Sequence, residues 1–295
     1  LVSPKSYKFQ VTSFKIMIFD GKQLANKILD SIKKETNSWP QKPNLAVISF
    51  GDEKNNSSYI VQKRKTAESL GFGFNDYNYS KDDFSKAREY LNKIVKMESV
   101  SAVVVQMPLP AEINNSILNV IPPEKDPDLL CDRSVGAFFN GHSLVNPPTA
   151  EAILDVLKES NIVITGKKVA LFGYGRLVGR FLVPMLIKEG ATIAVIDKDT
   201  PKEDAKHISL GSDIIISAVG EANLIKSDMV KDGSVVIDAG FSILDGNIVG
   251  DVDLESVKDK ISLITPVPGG VGPITVARLF SNVAKLFKYS TKFKN

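Results

Sequence analysis

The 295-residue sequence holds one cysteine, one tryptophan and two histidines, and it has no apolar stretch long enough to span a bilayer. Each scarcity removes a class of protein. The lone Cys131 has no internal disulfide partner, so no disulfide scaffold is expected and a reducing compartment, the cytoplasm, is. His142 and His207 stand far apart, with no cysteine or carboxylate at metal-ligand spacing, so no metal is expected. A spanning helix needs roughly 18 or more consecutive apolar residues. None is present, and no membrane partner is expected. Neither sign of charge dominates: 37 basic and 34 acidic residues leave +3. No basic block matches a phosphate backbone, which argues against nucleic acid as a partner.

What is present suits a globular chain with two cores, 43% hydrophobic and 24% charged. Residues 1–16 lack acids and arginine and read as an N-terminal extension or tag, with the functional start near Met17. From there short apolar runs alternate with amphipathic stretches: "NLAVISF" (44–50), a helix over 57–70 and "SAVVVQM" (101–107). A second series follows, with "KKVALFG" (167–173), a helix over 177–189, "ATIAVID" (191–197), "DIIISAVG" (213–220), "GSVVIDAG" (233–240) and "SLITPVP" (262–268). This βαβ rhythm predicts an α/β protein of two domains with parallel sheets. In "VNPPTAEAILDVLKES" (145–160), paired prolines precede Thr149, an expected N-cap, at the domain junction. A last helix over 274–290 is expected to return to the first domain.

"LFGYGRLVGR" places Gly173, Gly175 and Gly179 between a strand and a helix. Bare backbone at a helix N-terminus lets a pyrophosphate reach N–H groups, so the loop predicts a bound dinucleotide. Asp197 ends the next strand, where a carboxylate accepts hydrogen bonds from a ribose and favours NAD; as a solvated strand end it would do neither. Lys198 and Arg176 offer charge to a 2′-phosphate, which keeps NADP open.

Tyr59 and Lys63 lie four residues apart, which puts both on one helix face, either solvated or meeting a common ligand. Ser57 or Ser58 is the expected N-cap of their helix and Gly71 its C-cap. Gln106 ends a buried strand, the end at which parallel sheets bind ligands. Asp126 and Asp128 sit in the proline-stiffened "PPEKDPDLL" (122–130), as turn caps or as ligands. "PVPGGVGP" (266–273) combines three prolines and three glycines, more than a plain connector needs.

The motifs "GDEKNNSSYIVQKRK", "VVVQMPLP", "KDPDLL", "FGYGRLVGR" and "ITPVPGGVGPITVARL", in this order, resemble the bifunctional methylenetetrahydrofolate dehydrogenase/cyclohydrolase family over nearly everything from Met17 on. The resemblance implies a folate-binding catalytic domain (17–148, completed by 274–295) and a Rossmann-type NAD(P)-binding domain (149–273), with a cleft between them. It implies oxidation of 5,10-methylenetetrahydrofolate with NAD or NADP, then hydrolysis of the methenyl product to 10-formyltetrahydrofolate; the alternatives are a monofunctional NAD-dependent dehydrogenase and a non-catalytic paralogue that binds folate or nucleotide. Lys63 is implied as the acid/base group, held by Gln106 and oriented by Tyr59, with Asp128 on the pterin. Val105, Met107, Pro268, Gly269, Gly270, Val271 and Gly272 are implied to line the folate. Thr149, Tyr174, Val178, Ala218, Gly220 and Phe241 join Gly173, Gly175, Arg176, Gly179, Asp197 and Lys198 on the cofactor side. A homodimer through the second domain is implied as well. The family usually has serine at Gly175, proline at Phe181, glycine at Leu129, and cysteine and proline where this chain has Pro148 and Ala150.

Overall fold

A computed structural model describes residues 16–51 and 57–292. The expected extension, apart from Ile16, lies outside the described residues, as do 52–56 of the first family motif and the cap ahead of the helix carrying Tyr59. In chain order the elements are β1 (Met17–Ile18), α1 (Gly21–Thr36), β2 (Asn44–Phe50), α2 (Ser57–Leu70), β3 (Gly73–Tyr79), α3 (Ala87–Val95), β4 (Ala102–Val105), α4 (Asp132–Phe139), α5 (Pro148–Glu159) and β5 (Lys168–Phe172). They continue with α6 (Gly179–Lys188), β6 (Thr192–Ile196), α7 (Lys202–Leu210), β7 (Ile214–Ser217), β8 (Val235–Asp238), β9 (Ser242–Leu244), β10 (Asn247–Val249), α8 (Leu254–Val257), β11 (Leu263–Ile264) and α9 (Val271–Lys292). Among the described residues no helix is long and apolar enough to cross a membrane.

Two compact bodies form. The first takes 20–163, 175–186 and the chain from 269; the second takes 16–19, 164–174 and 187–268. In the first body a parallel sheet in the order β3-β2-β4 is covered on both sides. Alternation along β2 and β4 sends Leu45, Val47, Ala102 and Val104 to one face, against Ala67 and Leu70 of α2 and Leu279, Phe280 and Val283 of α9. It sends Ala46, Ile48, Val103 and Val105 to the other, against Leu91 and Ile94 of α3. Helix α9 packs along α1 and α5, as expected of a helix returning to the first domain. The Arg278 guanidinium ties it to Asp155 at 2.5 and 2.6 Å, and to Glu151 at 3.3 Å.

Helix starts differ from expectation at three places. Helix α2 begins at Ser57, so Ser57 and Ser58, expected as its N-cap, both lie inside it. Thr149 is not an N-cap: α5 begins at Pro148, whose fixed φ suits the first helical position, with Pro147 as the cap. Helix α9 begins at Val271 rather than 274, because Pro273 falls in its first turn, where a missing N–H costs nothing. Gly71 does end α2: its φ is +69°, and Gly71 N and Phe72 N donate to Glu68 O and Ala67 O, a Schellman closure.

The second body has a six-stranded parallel sheet in the order β1-β11-β8-β7-β5-β6. From β5 the chain moves outward to β6, then crosses back to β7 on the other side of β5. The strand order therefore reverses between β5 and β7, the point at which open α/β sheets bind ligands beyond their carboxyl ends. Phe172, Ile215, Val236 and Ile264 meet Ala205, Ile225, Val257 and Ile261 in its core.

Candidate functional site

In the first body, α2 and β4 bring Lys63 to Gln106. Lys63 is 8% exposed, and its Nζ donates to Gln106 Oε1 at 2.8 Å. Burial lowers the ammonium pKa, while the Asp128 carboxylate pulls it back up. Burial likewise raises Asp128 to about 6, with Lys63 opposing the shift and Asp126 adding to it. A buried cation and a half-buried carboxylate thus stand close enough to feel one another, each displaced toward its neutral form. Tyr59, one turn before Lys63, has its phenol raised by burial.

The Asp128 loop is built by its neighbours. Asp126, fully buried, accepts from Leu130 N and Cys131 N, both at 2.9 Å, which closes the turn around Asp128. Asn282 of α9 donates from Nδ2 to Pro127 O at 2.8 Å and to Asn146 O at 2.7 Å. Leu129 takes φ +53° and is 1% exposed, so packing holds a branched residue in the left-handed region that favours glycine. The guanidinium of Arg176 donates to Leu130 O at 2.6 Å.

Residues 269–272 sit against α1. Gly21 N donates to Gly269 O at 3.1 Å, and a Cβ on Gly21 would stand 1.8 Å from Gly270 O. Gly269 has φ +110°. A Cβ on Gly272 would reach 3.7 Å from Tyr59 Oη, so this bare backbone passes beside the phenol. Val271 is buried and Pro268, on the second body, is exposed. Val105 lies in the apolar core of β4, and Met107 is partly buried against the same cluster. Thr149 belongs to the first body, half-buried on α5.

In the second body, Gly173 and Tyr174 follow β5 at the reversal of strand order. Gly173 has φ +92°, and a Cβ there would stand 3.0 Å from Ala218 O, just beyond β7. Gly220 has φ +78° and accepts at its carbonyl from Ser242 Oγ at 2.7 Å; a Cβ on it would stand 3.2 Å from Phe241 O. Asp197 is exposed after β6, and its carboxylate accepts from Lys198 N at 2.8 Å. Of the rest of the glycine loop, which continues on the first body, Gly175 has open space where a Cβ would stand. Val178 O accepts from Leu182 N at 2.9 Å, and Gly179, buried, opens α6. Phe181 is fully buried, with ring centroids 5.1 Å from Phe138 and 6.0 Å from Phe139. Those rings pack around Phe181.

Sequence reasoning missed four residues that shape these sites: Gly21, Asn282, Asp238 and Asp251. Asn282 carried a signal, a polar residue within the apolar stripe of a helix. Asp238 and Asp251 carried another, each close to a glycine at the end of an apolar run. Asp238 is buried and raised to about 6 by that burial, against three backbone N–H donors.

Residues 19–128 match the family model described as tetrahydrofolate dehydrogenase/cyclohydrolase, catalytic domain. Residues 147–291 match its NAD(P)-binding domain. The bifunctional protein FolD of Hydrogenobaculum sp. is 39% identical over 275 residues, covering 92% of this chain and 98% of its own. The crystal structure of the bifunctional dehydrogenase/cyclohydrolase of Campylobacter jejuni is 36% identical, with a TM-score of 0.86 over 93% of this chain and 99% of that one. The Trypanosoma brucei enzyme, solved with NADP and an inhibitor, is 32% identical, with a TM-score of 0.87 over 94% and 99%.

Proposed function

Because the chain belongs to the tetrahydrofolate dehydrogenase/cyclohydrolase family, we propose that it oxidises 5,10-methylenetetrahydrofolate to the methenyl form with a nicotinamide dinucleotide and hydrolyses that product to 10-formyltetrahydrofolate. The observation that carries the reading is the buried Lys63 hydrogen-bonded to Gln106 beside Asp128. A lysine whose pKa burial has lowered exchanges protons more readily near neutrality than an exposed one. In hydrolysis Lys63 takes a proton as the water oxygen bonds to the methenyl carbon; the C–N5 bond of the adduct then breaks with N5 protonated and the formyl group left on N10, and Gln106 fixes the Lys63 Nζ. Tyr59 flanks the substrate, with the backbone at Gly272 on its other side. Asp128 accepts from the amino and ring N–H donors of the pterin, a charge-assisted contact.

The dinucleotide, when bound, supplies the hydride acceptor of the first step. The residues present fit such a ligand: Gly175 leaves its Cβ position open, and Gly173 and the turn at 218–220 meet where the sheet order reverses. The family resemblance adds Tyr174 and Phe241 of the second body, and Val178, Gly179 and Thr149 of the first, to the residues read as cofactor-binding. NAD is the preferred partner in this reading. Asp197 repels a 2′-phosphate, and Arg176, which could offset that charge, is engaged by Leu130 O. Lys198 remains beside it. Folate-side contacts extend through Val105, Met107 and residues 268–272. The enzyme acts without a metal, as a cytoplasmic homodimer paired through the second body.

Initial rates with NAD and with NADP at matched methylenetetrahydrofolate, followed by decay of the methenyl product, test the reading. The expected result is faster reduction of NAD and methenyl decay well above the uncatalysed rate. Methenyl decay at the uncatalysed rate would reduce the protein to a dehydrogenase. No cofactor reduction with either dinucleotide would overturn the dehydrogenase half.

A further inference from the structure

The crevice at the reversal of strand order has two walls: the glycine loop after β5 and the turn after β7. The backbone donors of the second wall are already occupied. The fully buried carboxylate of Asp251 accepts four hydrogen bonds, from Ser217 Oγ at 2.7 Å and Val219 N at 2.9 Å on Oδ2, and from Gly220 N at 3.0 Å and Glu221 N at 2.9 Å on Oδ1. Successive backbone N–H groups converging on one point form an anion-binding nest. Here the nest is filled by the chain's own anion.

Asp251 is itself held in place. Its N–H donates to Asp238 Oδ1 at 3.1 Å, and Asp238 also accepts from Gly240 N and Val252 N, both at 2.9 Å. The two carboxylates interlock through paired glycines. A Cβ on Gly240 would lie 2.0 Å from Asp251 Oδ1, and one on Gly250 would lie 2.0 Å from Asp238 Oδ2. No side chain fits at either position without displacing a carboxylate.

We propose that Asp251 is a positioning residue for the nicotinamide dinucleotide: by filling the nest at 219–221 from within, it denies that turn to the cofactor phosphates and fixes it with the Ala218 carbonyl, beside the glycine loop, as the acceptor for hydroxyl and amide donors. The carbonyl of Ala218, 3.0 Å from the Cβ position of Gly173, faces the glycine loop as this requires. Phosphate binding then falls to the bare backbone of that loop, and the turn after β7 reads the uncharged part of the ligand. The inference rests on the proposed dinucleotide site.

Asp251→Asn tests it. The substitution keeps the volume but turns an amide N–H₂ toward donors that now lack an acceptor, and leaving a buried donor unsatisfied costs on the order of tenfold in the equilibrium that depends on it. The expected result is a KM for the dinucleotide raised about tenfold, kcat within about twofold, and methenyl hydrolysis, which uses no dinucleotide, unchanged. An unchanged KM with normal hydrolysis overturns the proposal. So does a parallel fall of kcat and hydrolysis with no change in KM, which marks a role in folding alone. If that variant is insoluble, Ser217→Ala, which removes one of the four donors, decides: a KM raised about two- to threefold supports the proposal and an unchanged KM overturns it. A parent enzyme that reduces neither NAD nor NADP overturns the functional reading and this inference with it, before any variant is made.

Discussion

Lys63 is an ammonium hydrogen-bonded to one amide and in the field of one carboxylate inside the first body, and the energetics of that position separate its chemical role from a structural one. Its folded pKa is lowered by burial, so it binds its proton less tightly folded than unfolded. Stability therefore rises with pH through the interval between the lowered value and the ordinary lysine range, and below that interval the burial cost is present in full. Lys63→Met should abolish methenyl hydrolysis, by about 10²–10⁴-fold, the span of positioned acid/base groups. It should also raise the melting temperature at neutral pH, with the gain shrinking as pH climbs. Thermal unfolding at pH 7 and pH 10 beside the hydrolysis assay checks both; retained hydrolysis in a folded variant removes Lys63 from the mechanism. The pair with Tyr59 is visible in sequence because four-residue spacing on a helix is local. Asp251 and Asn282 are not, since their partners lie 34 and up to 155 positions away and only the fold brings them together.

Helix α1 shows how an element can be shaped by a segment far along the chain. Asp20 caps it, accepting from Gln23 N at 3.0 Å, and the next residue must be glycine because the carbonyls of Gly269 and Gly270 occupy its Cβ position. Gly21→Ala should destabilise the protein by about 1–3 kcal/mol, as an overpacked core site does. Backbone, not a flexible side chain, blocks the methyl group. The strain falls on residues 269–272 beside Tyr59, so KM for the folate substrate should rise together with the loss in urea midpoint. A Gly21→Ala protein of parent stability and KM would contradict the close approach. The expected apolar strands became β2, β4, β5, β6, β7, β8 and β11, because a parallel sheet covered on both sides writes near-continuous apolar runs. β3 was not legible: "GFNDYNY" is half polar and pairs only through β2 at the sheet edge. The two residues of β1 and the hairpin β9–β10 are too short to leave a periodic signal.

At the scale of the whole molecule, the second body's sheet ends on one side in β6, which pairs with β5 alone. Its sequence "TIAVI" carries no charge and no proline, and Val195 is 39% exposed. Edge strands that act alone are usually blunted by charge, proline or a bulge, because an open row of backbone donors and acceptors invites pairing. An edge without that protection fits a strand pairing with its own copy about a two-fold axis, where one patch serves both subunits. Val195→Lys should then place two like charges at the axis and raise the dimer dissociation constant by about tenfold or more. Light scattering across a dilution series is the measurement: the parent should hold twice the monomer mass where the variant falls to one. Hydrolysis by the variant, whose groups all lie on the first body, should persist. A parent that is already monomeric, or a variant dimer as tight as the parent, would leave the β6 edge without a partner and move the interface elsewhere on the surface.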